Sequence, residues 1–108
     1  MRRLTEAGEL ASLAAQTPLL FVQFSAATCG PCAAISQKLD LWTAGRPMAD
    51  SVCVPIEDFP ALAAEQGVFT VPTVLVFVEN KLALRESGYF SLEQLLARAR
   101  RYLDLLSD

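Results

Sequence analysis

Cys29 and Cys32 are the side chains best placed to do chemistry, and they bracket Gly30 and Pro31. A cysteine pair at that spacing can cycle between dithiol and disulfide, or lend two thiolates to a metal. The residues before it, Leu19-Leu20-Phe21-Val22-Gln23-Phe24, are nearly continuous in apolar side chains and predict a buried strand. Those after it carry Ile35, Leu39 and Trp42 at helical spacing as far as about Thr43, where Gly45 and Pro47 close the segment. The pair therefore falls at a strand-to-helix junction, with Cys29 expected near the N-cap. Unpaired N–H groups and the positive end of the helix dipole favour a thiolate there, and the thiolate is the nucleophile. Pro31 suits a first helical turn, where its missing N–H is no loss. Gly30 leaves the approach to Cys29 open, whereas Cys32 is expected to be more shielded. That asymmetry assigns attack on a substrate disulfide to Cys29 and resolution of the mixed disulfide to Cys32.

Two other readings of the pair stand beside this one: two ordinary buried cysteines at a helix start, or a metal site. The chain has three cysteines and no histidine, so Ser/His and Cys/His nucleophile–base pairs and His-ligated zinc are excluded. Tetrahedral zinc wants four ligands, and only Cys53 is left over, so a metal would have to be shared with a second chain. The expectation is no metal and no cofactor. A formal net charge of −3 gives no electrostatic case for nucleic acid or an anionic membrane as partner. The N-terminal MRRLTEAGEL has no apolar run behind its arginines, so no secretory signal is read and a cytoplasmic location is expected. In a reducing cytosol the cysteines argue against a structural disulfide framework.

At 108 residues, 53% hydrophobic and 19% charged, the chain is expected to form a single domain, 1–108. Glu6 to Gln16 predicts a first helix with Thr5 as N-cap, and Thr17-Pro18 ends it. Ser51 to Ile56 predicts a second strand. Asp58 is expected to cap a short helix with Pro60 in its first turn and Gly67 at its end. Val74 to Val78 and Leu82 to Glu86 then form a hairpin about Asn80. A last helix, capped by Ser91 with Gln94, buries Leu92, Leu95, Leu96, Ala99, Leu103 and Leu106. Arg98, Arg100 and Arg101 are expected near its C-terminal end, facing the dipole. This order predicts an α/β fold, a mixed central sheet flanked by helices on both faces. Four strands are required, and five if Arg2-Arg3-Leu4 makes an edge.

Cys29-Gly30-Pro31-Cys32 after that strand resembles the active site of the thioredoxin family, and Gly67 to Thr73, GVFTVPT, is similar to the family's cis-proline loop. With Gly88 and the terminal helix, the resemblance covers nearly the whole chain. It implies a thioredoxin-like fold and a thiol–disulfide oxidoreductase, foremost a dithiol reductase of protein disulfides. It further implies a cis Pro72 packed against the cysteines, and Val71 pairing its backbone with substrate. A thioredoxin reductase or another dithiol donor would supply electrons.

Departures from the pattern qualify the activity. Thr28 and Ser25 stand where the family has tryptophans, so the exposed surface around Cys29 is expected to be smaller and more polar. Gln23 replaces a buried aspartate that assists proton transfer at the second cysteine. Cys53 falls where a buried lysine is usual. Losing acid and base together is electrostatically consistent. Cys53 is either a small buried hydrophobe or a third redox thiol able to pair with Cys32. The alternatives to a general reductase are a dedicated electron donor to one partner enzyme, or a binding module with low turnover.

Overall fold

The apolar run after Pro18 folds as a strand with every residue buried, because helices cover both of its faces. In the computed structural model, which describes residues 1–107, it is the second of five strands. In chain order the elements are β1 (Arg2–Arg3), α1 (Glu9–Gln16), β2 (Leu19–Ser25), α2 (Cys32–Ala44) and β3 (Ala49–Pro55). They continue with α3 (Pro60–Glu65), β4 (Thr73–Val78), β5 (Lys81–Ser87) and α4 (Leu92–Leu106). The sheet order is β1-β3-β2-β4-β5, with β3 parallel to β1 and β2, and β4 antiparallel to β2 and β5. The fifth strand is therefore present, as two residues pairing Arg2 with Val52 and Arg3 with Cys53.

Side chains alternate along a strand, so β2 feeds two cores. Leu20, Val22 and Phe24 join Leu10 and Leu13 of α1 and Leu62 of α3 on one face. Leu19 and Phe21 join Leu39 of α2 and Leu95, Ala99 and Leu103 of α4 on the other. By the same alternation, Gln23 and Ser25 lie on the α2 side. Leu39 is 0% exposed, and burying it contributes about 1.5–3 kcal/mol toward docking α2, which carries the cysteines. Trp42 packs edge-to-face on Phe21 with centroids 5.3 Å apart, and the Arg46 guanidinium covers it at 4.2 Å.

Three local expectations are corrected. First, α1 begins at Glu9 with Gly8 as N-cap, not at Glu6 after Thr5. The Thr5 N–H and hydroxyl instead donate to the Glu9 carboxylate at 3.0 and 3.2 Å, and the intervening residues form a turn. Second, Asp58 does not cap α3: Phe59 is the N-cap, no side chain bonds there, and Pro60 fills the first position. Third, α4 has no basic residue in its last turn. Arg100 pairs with Asp104 at 3.2 Å and Arg98 approaches Glu86 at 4.0 Å, so ion pairing takes the place of the dipole contact. The β4–β5 hairpin does turn about Asn80, which with Glu79 takes positive φ, 65° and 51°, the backbone that a two-residue primed turn demands. Ser91 does cap α4, its Oγ accepting the Gln94 N–H at 3.1 Å, and Gly67 adopts φ +68° after α3.

Candidate active site

The chain leaves β2 through a tight turn in which the Cys29 N–H donates to the Ala26 carbonyl at 3.0 Å. The Ala27 N–H in that turn donates to Glu57 Oε2 at 2.6 Å, tying the turn to the segment after β3. This hydrogen bond holds the Glu57 carboxyl below its ordinary range. Cys29 and Cys32 are joined in a disulfide with Cα atoms 5.5 Å apart. Cys32 is the first residue of α2 and 5% exposed, whereas Cys29 is partly exposed, as their spacing predicted. The N-cap expectation for Cys29 is corrected. Pro31 occupies that position with helical φ −75° and ψ −12°, and its carbonyl accepts the Ile35 N–H at 3.1 Å. Proline's fixed φ extends helical backbone toward the cysteines but leaves Cys29 in the preceding turn.

Facing the disulfide is the loop before β4, with a cis Val71–Pro72 peptide. Its shape is held from both sides. The Thr73 hydroxyl donates to the Thr70 carbonyl at 2.7 Å, and the Gly88 N–H donates to the Pro72 carbonyl at 3.0 Å. The Arg85 guanidinium grips the Gln66 and Gly67 carbonyls behind it. Pro72 is buried and Val71 is partly exposed. Among the described residues, the Val71 N–H and carbonyl have no hydrogen-bond partner. Thr28, Cys29, Gly30, Pro31, Val71 and Pro72 all line one groove of about 800 Å³.

Beneath the disulfide lies a closed polar network. Gln23, 0% exposed, donates from Nε2 to the Cys32 carbonyl and accepts the Ser36 hydroxyl at Oε1, both at 2.8 Å. Cys53 pairs with Gln23 in the β2–β3 register and carries a free thiol. Its Sγ is 3.0 Å from the Ser25 hydroxyl. Every buried side-chain polar atom among the described residues has a hydrogen-bond partner.

The thioredoxin family model matches residues 4–101. The chain belongs to the thioredoxin family. Thioredoxin-1 of Saccharomyces cerevisiae is 32% identical over 82 residues, 76% of this chain and 80% of that protein. Thioredoxin-2 of Pyricularia oryzae is 31% identical over 81 residues, 75% of this chain but 47% of that longer protein, so the chain spans about half of it. Among solved structures, Fasciola hepatica thioredoxin superposes with TM-score 0.82 at 28% identity, covering 94% of this chain and 99% of that one. A mutant thioredoxin from Halobacterium salinarum reaches TM-score 0.84 at 22% identity over 94% of this chain and 89% of its own, which bears on the fold alone. The thioredoxin-like fold read from the sequence is thus present, and membership makes the chain a thiol–disulfide oxidoreductase of the protein-disulfide reductase type.

The structure brings Thr28, Cys29, Gly30, Pro31, Val71 and Pro72 to one thioredoxin groove and sets Gln23 under Cys32. Cys53 sits apart from the groove, bonded to Ser25. Ser25 corrects an expectation: at 9% exposure it contributes nothing to the surface around Cys29, because its hydroxyl turns inward to the Cys53 sulfur. Ser36 and Glu57 escaped the sequence reading. Ser36 follows Cys32 by one helical turn, a spacing that could have flagged it. Glu57 reaches Ala27 across 30 residues and had no local signal.

Proposed function

We propose that this thioredoxin-family chain works as one domain, residues 1–108, reducing protein disulfides in the cytosol, with Cys29 as nucleophile and Cys32 as resolving thiol. The observation that carries the reading is the unequal exposure of two bonded cysteines, of which Cys29 lines an open groove and Cys32 is buried. In the reduced protein the Cys29 thiolate attacks one sulfur of a substrate disulfide. A Cys29–substrate bond forms, and the first substrate sulfur leaves as a thiolate that takes up a proton. Cys32 then loses its proton and attacks the Cys29 Sγ, releasing the second substrate thiolate and forming the Cys29–Cys32 disulfide. Two electrons pass from the protein to the substrate. A dithiol donor, such as a thioredoxin reductase, restores them.

The unpaired N–H and carbonyl of Val71 support its role as a strand-pairing edge for an extended substrate segment, with Pro72 packed behind it. A second reading, a donor dedicated to one partner enzyme, is favoured by Thr28, an exposed and small residue beside Cys29. A solved structure similar in fold concerns thiol resolution in a yeast mitochondrial peroxiredoxin through glutathione/thioredoxin systems, an oxidised partner of the kind such a donor would serve. Insulin reduction driven by dithiothreitol tests the choice. Activity in wild type that Cys29→Ser abolishes is expected; a wild-type rate equal to the reductant background refutes a general reductase.

A further inference from the structure

Among the described residues, no backbone N–H of residues 69–71 donates a hydrogen bond. The segment that presents Val71 is therefore shaped from its two ends, and β5 with the residue after it reaches both. At the far end the Gly88 N–H donates to the Pro72 carbonyl at 3.0 Å. The Thr73 hydroxyl, whose single hydrogen goes to the Thr70 carbonyl, accepts from the Ser87 hydroxyl at 3.0 Å. At the near end stands Arg85, opposite Leu75 of β4 and so on the same face of the sheet. Leu75 packs there with Leu62 and Ala63 of α3. The Arg85 guanidinium donates to the Gln66 carbonyl at 2.7 Å and to the neighbouring Gly67 carbonyl. Gln66 is the C-cap of α3, and Gly67 takes φ +68° where the chain turns away from it. Among the described residues Arg85 forms no ion pair, so the two carbonyls are the partners of its fork.

We infer that Arg85 is a positioning residue for disulfide exchange: by fixing how the chain leaves α3, it presets the Val71 edge for an extended substrate. The inference rests on the reductase reading above and on Val71 as its substrate edge. Arg85 does not line the groove, so it acts through the loop alone. One planar guanidinium on two successive carbonyls fixes their orientation as well as their distance, which a single ammonium does not. Val68, 5% exposed and with its N–H on the Ala63 carbonyl at 2.8 Å, carries that orientation into residues 69–71. A loop already in its bound shape loses less freedom when a substrate pairs with it. The gain is confined to substrates that have a backbone, and it falls on binding rather than on the exchange of sulfurs. The Arg85 side chain is exposed and belongs to neither core, so its removal leaves the packing intact.

The test follows the reduced protein in single turnovers with two disulfides. One is a peptide with an internal disulfide, and the other is bis(2-hydroxyethyl) disulfide, which has no backbone to pair with Val71. Arg85→Met keeps most of the stem and removes the fork. It is expected to raise the peptide concentration giving half-maximal rate roughly fivefold, with the limiting rate changed by less than about twofold. Its rate with bis(2-hydroxyethyl) disulfide should stay within about twofold of wild type. Arg85→Lys keeps the charge but lacks the fork, so it should weaken peptide binding in the same direction, and it carries the test alone if the methionine variant does not fold. A wild-type peptide profile in either variant, or an equal loss on both disulfides, overturns the positioning role while leaving the reductase reading intact. Failure of wild type on both disulfides refutes the reductase reading itself, and the positioning role with it.

Discussion

Gln23 links β2 to the first turn of α2 through two hydrogen bonds of 2.8 Å, with no exposure to water. Replacing it with leucine keeps the volume and removes both bonds. The Cys32 carbonyl retains its helical N–H partner, and the Ser36 hydroxyl can turn to a carbonyl one turn back, so the loss should be about 1–2 kcal/mol. Ser36→Ala is different. It strands Gln23 Oε1 in the interior without a donor, which costs about 1–3 kcal/mol. In the double variant no amide remains to be stranded, so the combined loss should fall short of the sum by about 1 kcal/mol or more. Urea unfolding of the oxidised proteins measures all three, and each kcal/mol also moves the melting point by about 4 °C at this size. Additivity within about 0.5 kcal/mol would refute the coupled network.

The same residue bears on rate. A glutamine amide cannot accept a proton at neutral pH, whereas a carboxylate can. We therefore predict that Gln23→Asp speeds the resolving attack by Cys32. A mixed disulfide formed on Cys29 and followed in time should decay faster in the variant. Equal decay rates would show that no proton acceptor is needed beneath Cys32.

The remaining predictions concern the flanks of the site. Glu57→Gln should loosen the turn before Cys29, because the Ala27 N–H loses a charged acceptor. Since that bond holds the Glu57 pKa below its ordinary value, its stabilisation is present at neutral pH and lost as pH falls through the depressed pKa. Melting curves of wild type and variant should therefore converge as pH drops from 7 to below about 4. Cys53 is 8% exposed and hydrogen-bonded to Ser25, so it should stay free when the protein is oxidised. Peptide mapping by mass spectrometry should find only the Cys29–Cys32 bridge, and a Cys32–Cys53 bridge would contradict the placement.

Much of the architecture was legible because its signals are local. An apolar run buried on both faces marks β2, and Leu95, Ala99 and Leu103 at helical spacing mark α4. Gly67 stands where a positive φ was required. The errors sat at element ends, where competing local bonds decide. Thr5 offered a cap, but its hydroxyl and N–H found the Glu9 carboxylate. Asp58 offered another, but Pro60 opens α3 with Phe59 before it.

By itself the sequence determined the α/β order of elements, the pair Cys29 and Cys32 at a strand-to-helix junction, and their order of shielding. These follow from residue type and period over a few neighbours. Only the tertiary structure decided that Ser25 turns inward to Cys53, that Gln23 bridges Cys32 and Ser36, and that Glu57 anchors Ala27. Each of these contacts joins residues distant in the chain or depends on the face a side chain takes, and sheet register and helix docking choose that partner.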